Sequence, residues 1–447
     1  MKLLHAKMRA GGLGGPFVPA ALKVALALLL LSGVGSGREL LTSLEGRTLV
    51  FDALVDVFKE FYWNEDHLDW DAWAAAFREE ALAGSSRHDF ELVARKMVSA
   101  VADDHSSWLG LSSDGGDESM AATRTLGLGF QHDFLSGTGM VVLRVFPDTP
   151  AAAGGLRRGD VIARINERGL GDAVSSRSPA ALLDSAIRAG KVELTVRRGA
   201  ELHELSLEPA EIALAALSEM PQADMLDAGT GYLYLPSFNH SGVAARAHAL
   251  LSDLKAQGAT ALVLDMRGNL GGRLSELGLF LGSFIEGPWA QALSRGAFAW
   301  RANYSVVEGK AQSWLETEDG LVFSRLALET APEHWGGPLV VLADYRNSSA
   351  GELAPLILQA AGRAKVVGEA TSGNVEAVRG FDLPDGSTVL VAVANLQSAT
   401  GASFDDGLSP DVYATETLSE LARGFDAPVA EAQRLLHELP FTPGKFF

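Results

Sequence analysis

The stretch "PLVVLADYRNSSAGELAPLILQAAG", Pro338 to Gly362, joins a strand, a polar turn and an amphipathic helix. "PLVVLADYR" reads as a buried strand. The helix after it places Leu353, Leu356, Ile357 and Ala360 on one apolar face. "RNSSAGE" therefore lies beyond the carboxyl end of a strand and at the amino end of a helix, where open α/β sheets gather their sites. Ser349 admits two readings. With Glu352 three residues on, it fits a capping box. An oxyanion formed there would also meet a free N–H of Ala350 and the positive end of the helix dipole, which suits acyl transfer with Ser349 as nucleophile.

Working outward, the same alternation repeats. "GYLYLPSF" reads as a strand and "AARAHALLSDLKAQG" as a helix ending on Gly258. "ALVLDMR" is a strand and "RLSELGLFLGSFI" a helix, and "AKVVGEAT" and "STVLVAVANL" are further strands. The β-α-β order implies a mainly parallel sheet covered by helices. "DMRGNLGG", Asp265 to Gly272, sits at a second strand end, where its glycines allow close backbone approach. Taken alone, a tight βα turn is the favoured reading, and the stretch lacks the spacing of a phosphate loop. The segment Gly287 to Gly337, rich in Trp and charge, interrupts the pattern as a lid, an interface or an insertion.

Upstream, "LVFDALVDVFKEFYW" and "DFELVARKMVSAVA" have helical spacing. The second runs into "DDHSSWLG". His105, with acids beside it, reads either as a general base oriented by a carboxylate or as a solvated residue near a helix end. Asp103, Asp104 and His105 are consecutive and share no helix face, and no HExxH is present, so a metal site is not indicated. "LSSDGGDES" is a polar loop and a natural boundary. From Thr123 to Pro209 short strands dominate. There "LGLGF", Leu126, Gly127, Leu128, Gly129 and Phe130, is a Gly-rich turn entering a strand, able to offer N–H groups to a terminal carboxylate.

The bulk numbers limit function. The chain of 447 residues needs more than one core. A net charge of −19 excludes the basic footprint of a nucleic-acid binder. With no cysteine, disulfides, thiolate zinc sites and a Cys nucleophile are out. Lys2, Lys7 and Arg9 precede the apolar run "VALALLLLSGVG", the order of a secretory leader. Residues 1–37 read as a cleaved signal or an uncleaved anchor, and membrane association follows only from the anchor. Both export the rest, to a periplasmic or extracellular location.

In this order the segments resemble one family, the C-terminal processing and tricorn-like serine peptidases. "LGLGF" with "TPAAAGGLRRGDVI" resembles a PDZ domain. "GYLYLPSF", "LVLDMRGNLGG", "SSAGELAPLILQAAGRAKVVGEATSG" and "GLSPDV" resemble the peptidase core. The resemblance implies an α/β multidomain fold: a helical region at 38–115 carrying His105, a PDZ-like module at 122–212, and a crotonase/ClpP-like β-α spiral core with a helical tail at 225–447. It makes Ser349 the nucleophile, with the N–H groups of Ala350 and Gly272 as the oxyanion hole, and Leu126 to Phe130 as the peptide-binding loop. It implies polypeptide substrates recognised by their C-termini, and no metal or cofactor.

Two departures follow. The Lys of the Ser-Lys branch falls on Asn374, and its supporting Gln on Val378. Asn cannot act as a base, so the tricorn-like branch fits instead, with His105 from "DDHSSW". The acidic third member falls on Phe404 by spacing, which leaves the adjacent Asp405 and Asp406, with Asp405 as the expectation, and Asp104 as a further alternative to orient the ring. An inactive peptide-binding scaffold and a small-ligand carrier of the same fold are the competing functions.

Overall fold

A computed structural model describes residues 37–103, 105–111, 124–171, 177–213, 220–295, 299–328, 333–373 and 375–438. The leader, the polar loop after Leu111, Asp104 and Asn374 lie outside the described residues. The chain divides into two compact units. Residues 37–111, 286–328 and 375–406 belong to one, and residues 124–285, 333–373 and 407–438 to the other.

In the first unit, three helices carry their own start signals. Ser43 caps Leu44–Phe61, Asp69 caps Trp70–Ala83, and Ser86 with Asp89 forms a capping box on Arg87–Ser99. Their apolar faces meet in a core of Phe51, Leu54, Phe58, Phe90 and Met97, closed by Trp108, Val389 and Val391 from a sheet. Burying one such side chain stabilises by about 1.5–3 kcal/mol. That sheet is seven-stranded and antiparallel. It runs from Ser107–Leu111 through Ser387–Ser398 to Gly287–Ser294, Trp300–Val307, Lys310–Thr317 and Val322–Leu328, and Glu376–Asp382 also pairs with Ser387–Ser398.

This differs from the expectation for "STVLVAVANL". Its apolar run suits a buried strand of either kind, because periodicity does not distinguish parallel from antiparallel partners. The segment after Gly287 builds hairpins that pair with it. The expected contiguous region 225–447 is thus shared between the units.

In the second unit, the strands Gln222–Met225, Thr230–Tyr234, Ala261–Asp265, Leu339–Ala343, Lys365–Gly368 and Val412–Tyr413 form one sheet in that order. All neighbours are parallel except the first pair. Long crossovers between parallel strands require the intervening helices Val243–Ala256, Leu274–Leu281 and Ala350–Ala360. Ala432 and Leu436, from the last helix, pack on Val263, Val340, Leu342 and Val367. The PDZ-like module has its own six-stranded sheet, ordered Phe130–Leu135, Gly139–Val145, Val161–Ile165, Val192–Arg198 and Glu201–Leu207, with Arg168–Gly169 beside Val161–Ile165. Val141 and Val161 of that sheet pack on Leu421 and Ala422 near the chain's end.

Candidate active site

Ser349 occupies the cap position of the helix Ala350–Ala360, yet its side chain makes no capping bond. Its backbone holds φ 52° and ψ −131°. A residue with a Cβ held there costs about 1–3 kcal/mol, and persists only where its surroundings impose it. The imposing contacts come from Asn347. Its side-chain oxygen accepts from Asp344 N–H at 2.7 Å, and its amide donates to the Met266 and Gly351 carbonyls at 2.7 and 3.1 Å. The capping-box expectation is corrected by Glu352 as well. Fully buried, it accepts from the Thr371 hydroxyl and from Gly373 N–H at 2.7 Å, away from the cap. Thr371 in turn accepts from Leu408 N–H at 2.8 Å, so Glu352 ties "EATSG" to "GLSPDV".

The backbone around Ser349 is unevenly committed. Gly351 N–H donates to Ser348 O at 2.9 Å, and Glu352 and Leu353 N–H to Ser349 O at 3.0 and 2.9 Å. Ala350 N–H has no intramolecular acceptor among the described residues. The glycine loop lies against this turn. A Cβ on Gly271 would sit 2.8 Å from Ser349 Cβ and 3.0 Å from Ala350 N. Gly271 N–H is held by Asn269 Oδ1 at 2.9 Å, and Gly271 O accepts from Phe238 N–H at 2.7 Å. Gly272 N–H has no acceptor among the described residues. Asn269 also donates to Leu235 O at 3.0 Å. The two asparagines, Asn269 and Asn347, were missed in the sequence; each sits in an irregular turn, where periodicity says nothing about a side chain's direction.

The glycine loop is anchored by charge. Asp265 and Arg267 are both buried and pair at 2.6 Å, with Tyr232 donating its hydroxyl to Asp265 at 2.5 Å. Burial alone would push the Asp265 carboxyl up. The Arg267 guanidinium and the Tyr232 bond outweigh it and hold the carboxyl well below the usual range.

His105 belongs to the first unit. Asp103 Oδ1 accepts from His105 N–H at 2.9 Å and from Ser106 N–H, which ties the backbone of the turn at His105 and Ser106 to the Asp103 side chain. Ser106 Oγ accepts from Ala392 N–H at 3.1 Å and pins the turn to the sheet. The carboxylate beside the imidazole is Glu376, its Oε2 2.9 Å from Nδ1. That is ion-pair distance, with an angle outside hydrogen-bond geometry. Asp405, the expected acid, is exposed and accepts instead from Asn395 Nδ2 at 3.0 Å. Asn395 stands opposite Glu376 in the ladder, which places Asp405 one residue removed from the imidazole's neighbour. Buried Tyr62 also faces this corner; burial, then the charges of Asp103 and Glu376, push its hydroxyl far up and keep it neutral.

In the PDZ-like module, Leu126 and Gly127 pair with Glu211 and Ala210 in a two-stranded ladder. Leu128 is buried, and its carbonyl accepts from Ala151 N–H at 2.8 Å. Gly129 has φ +79°, and a Cβ there would meet the Thr149 side chain at 2.4 Å, so only glycine fits. Phe130 opens the strand at the edge of the sheet. Among the described residues no group of three or more His, Asp or Glu is placed to hold a metal ion.

Residues 229–414 match the model of peptidase family S41, and residues 99–197 that of the PDZ domain. The chloroplastic carboxyl-terminal-processing peptidase 2 of Arabidopsis thaliana is 27% identical over 348 residues, covering 75% of this chain and 63% of that one. The putative tricorn protease homolog 2 of Streptomyces coelicolor is 31% identical over 221 residues, 48% of this chain and 16% of that one. The chain thus spans less than two thirds of the length of these relatives. A crystal structure of a putative S41 protease from Bacteroides fragilis shares the fold, with a TM-score of 0.58 at 17% identity over 87% of this chain and 97% of that one.

Proposed function

We propose that this protein is an exported serine peptidase that hydrolyses peptide bonds through Ser349 and His105, a reading supported by the match of residues 229–414 to the model of peptidase family S41 and of residues 99–197 to that of the PDZ domain. The observation that carries the reading is Ser349 itself: a positive-φ residue at a helix start whose hydroxyl caps nothing. A structural serine there would relax or cap. Strain held by a surrounding network is a feature of sites where geometry serves chemistry.

His105 takes the Ser349 proton as Oγ attacks the peptide carbonyl. The C–O bond forms, and the oxyanion is held by the N–H groups of Ala350 and Gly272. The C–N bond then breaks, and His105 returns the proton to the leaving amine. Water, deprotonated by the same imidazole, releases the acyl group from Ser349. Glu376 orients His105 and stabilises its charged form. A Ser-Lys mechanism is not part of this reading, since Asn374 stands at the lysine's place.

The PDZ-like module supports recognition of polypeptide C-termini. Its loop at Leu128 to Phe130 precedes an edge strand, the arrangement that accepts a peptide by strand addition. Export rests on the leader-like residues 1–37. Among the described residues no helix is long and apolar enough to cross a membrane.

A fluorophosphonate probe tests the reading. Labelling of the wild type, absent in Ser349→Ala and in His105→Ala, is the expected result. A folded wild-type protein that takes no label would overturn the peptidase reading and leave the scaffold.

A further inference from the structure

Four arginines line a cleft of about 630 Å³ within the second unit: Arg144 and Arg158 from the PDZ-like module, Arg267 and Arg346 from the strand-end loops. Three of them are neutralised. Arg158 pairs with Glu416 and, at 3.0 Å, with Asp426. Arg267 pairs with Asp265, Glu416 and Asp426 at 2.6, 2.5 and 3.0 Å. Arg346 donates from Nε to Asp344 at 3.0 Å.

Arg144 differs. Its guanidinium carbon lies 3.6 Å from the centre of the Tyr234 ring, and it has no carboxylate partner among the described residues. A guanidinium laid on an aromatic face leaves its N–H edges open in the ring-parallel plane. Stacking also fixes that plane, so the fork needs little further ordering when a carboxylate arrives. Asp133 and Glu369 line the same cleft. They oppose a polyanion, and of the cleft's four arginines only Arg144 lacks a carboxylate partner among the described residues, so a single carboxylate is accepted only on Arg144 itself.

The cleft shares Ser237, Asn239, Gly268 and Leu270 with the loops that set Gly271 against Ser349. The cleft therefore adjoins the glycine loop that faces Ser349, on the side where residues flanking a bond held at Ser349 would lie in the proposed function. In the proposed function the free C-terminus belongs to the loop at Leu128 to Phe130. Arg144 lies opposite Gln131 in the ladder and lines the cleft with it. We infer that Arg144, stacked on Tyr234, forms a subsite for an acidic side chain, Asp or Glu, of the polypeptide substrate. This inference rests on the peptidase reading.

The test is a binding measurement in the Ser349→Ala protein, followed by fluorescence anisotropy. Short labelled peptides carry one Glu at successive positions. Each is compared with its Gln twin, with the C-terminus free and amidated. At one position the Glu peptide is expected to bind about tenfold tighter, the value of one charge-assisted contact. Arg144→Gln should erase that difference, Arg144→Lys should keep part of it, and the effect of amidation should survive both. Retention by Arg144→Lys also guards against misfolding as the explanation. The subsite is overturned if no position discriminates, or if discrimination survives Arg144→Gln. It is overturned in favour of the free terminus if Arg144→Gln removes the amidation effect instead. Glu discrimination that depends on Arg144, in a wild-type protein that takes no fluorophosphonate, would sink the peptidase reading and leave the acidic-peptide site standing.

Discussion

Glu376 Oε2 lies 2.9 Å from His105 Nδ1, while Asp405 is turned to Asn395. The two acids therefore separate cleanly in a mutational test. Glu376→Gln keeps the shape but removes the charge that stabilises an imidazolium. The rate of fluorophosphonate labelling should fall by roughly 10²–10⁴, the range of a triad acid. Asp405→Asn alters an exposed side chain and should change the rate by no more than about twofold. Equal losses in the two variants would remove Glu376 from its assigned role.

Ser349 supplies a prediction about stability rather than rate. Its φ of 52° strains a residue with a Cβ, whatever that residue's side chain does. Ser349→Ala should abolish labelling and leave stability nearly unchanged, because alanine inherits the same strain. Ser349→Gly should abolish labelling and raise unfolding stability by about 1 kcal/mol, read from urea midpoints. A cap serine would behave oppositely, with both variants losing stability.

What the sequence made legible, and what it did not, follows the physics of each element. The parallel sheet was readable because strands and helices alternate with turn signals between them. The antiparallel sheet was not, since "STVLVAVANL" carries no mark of its partner strands, which come from Ser107–Leu111, Gly287–Ser294 and Glu376–Asp382. Ser349 at the helix start was readable from the strand-turn-helix pattern, but its geometry was not. The pattern S-x-x-E promised a capping box, and Glu352 is instead drawn to Gly373 by a loop remote in sequence. Glu376 escaped notice because nothing local distinguishes it. Only the fold of its strand brings it to His105.

The contact between Gly271 and Ser349 predicts a steric loss. Gly271 has φ +100°, and a Cβ there would stand 2.8 Å from Ser348 O and from Ser349 Cβ. Real side chains do not accept such distances, so Gly271→Ala must displace the turn that carries Ser349 and Ala350. Labelling should drop about a hundredfold or more, comparable to losing one oxyanion donor. Circular dichroism should show the protein still folded, since the displaced atoms lie in a loop. Labelling at the wild-type rate would mean that the two loops do not work together.

The buried pair of Asp265 and Arg267 predicts how stability responds to acid. Arg267 and the Tyr232 hydroxyl hold the Asp265 carboxyl well below its ordinary range. An unfolded aspartate titrates near pH 4, roughly. The folded pKa lies lower, so the unfolded chain binds the proton first. The pair's contribution is complete above about pH 4 and is lost as the pH falls through that value toward the folded pKa. Asp265→Asn leaves Arg267 with Glu416 and Asp426 but without its nearest buried partner. Because Arg267 stays compensated by those two carboxylates, the change should cost about 1.5–3 kcal/mol near neutrality, the value of lost charge-assisted hydrogen bonds. It should also flatten the fall in stability on the acid side. Urea unfolding of both proteins at a series of pH values reads both effects. Parallel curves for the two would show that the pair does not couple folding to the proton, and that the glycine loop is held by its hydrogen bonds alone.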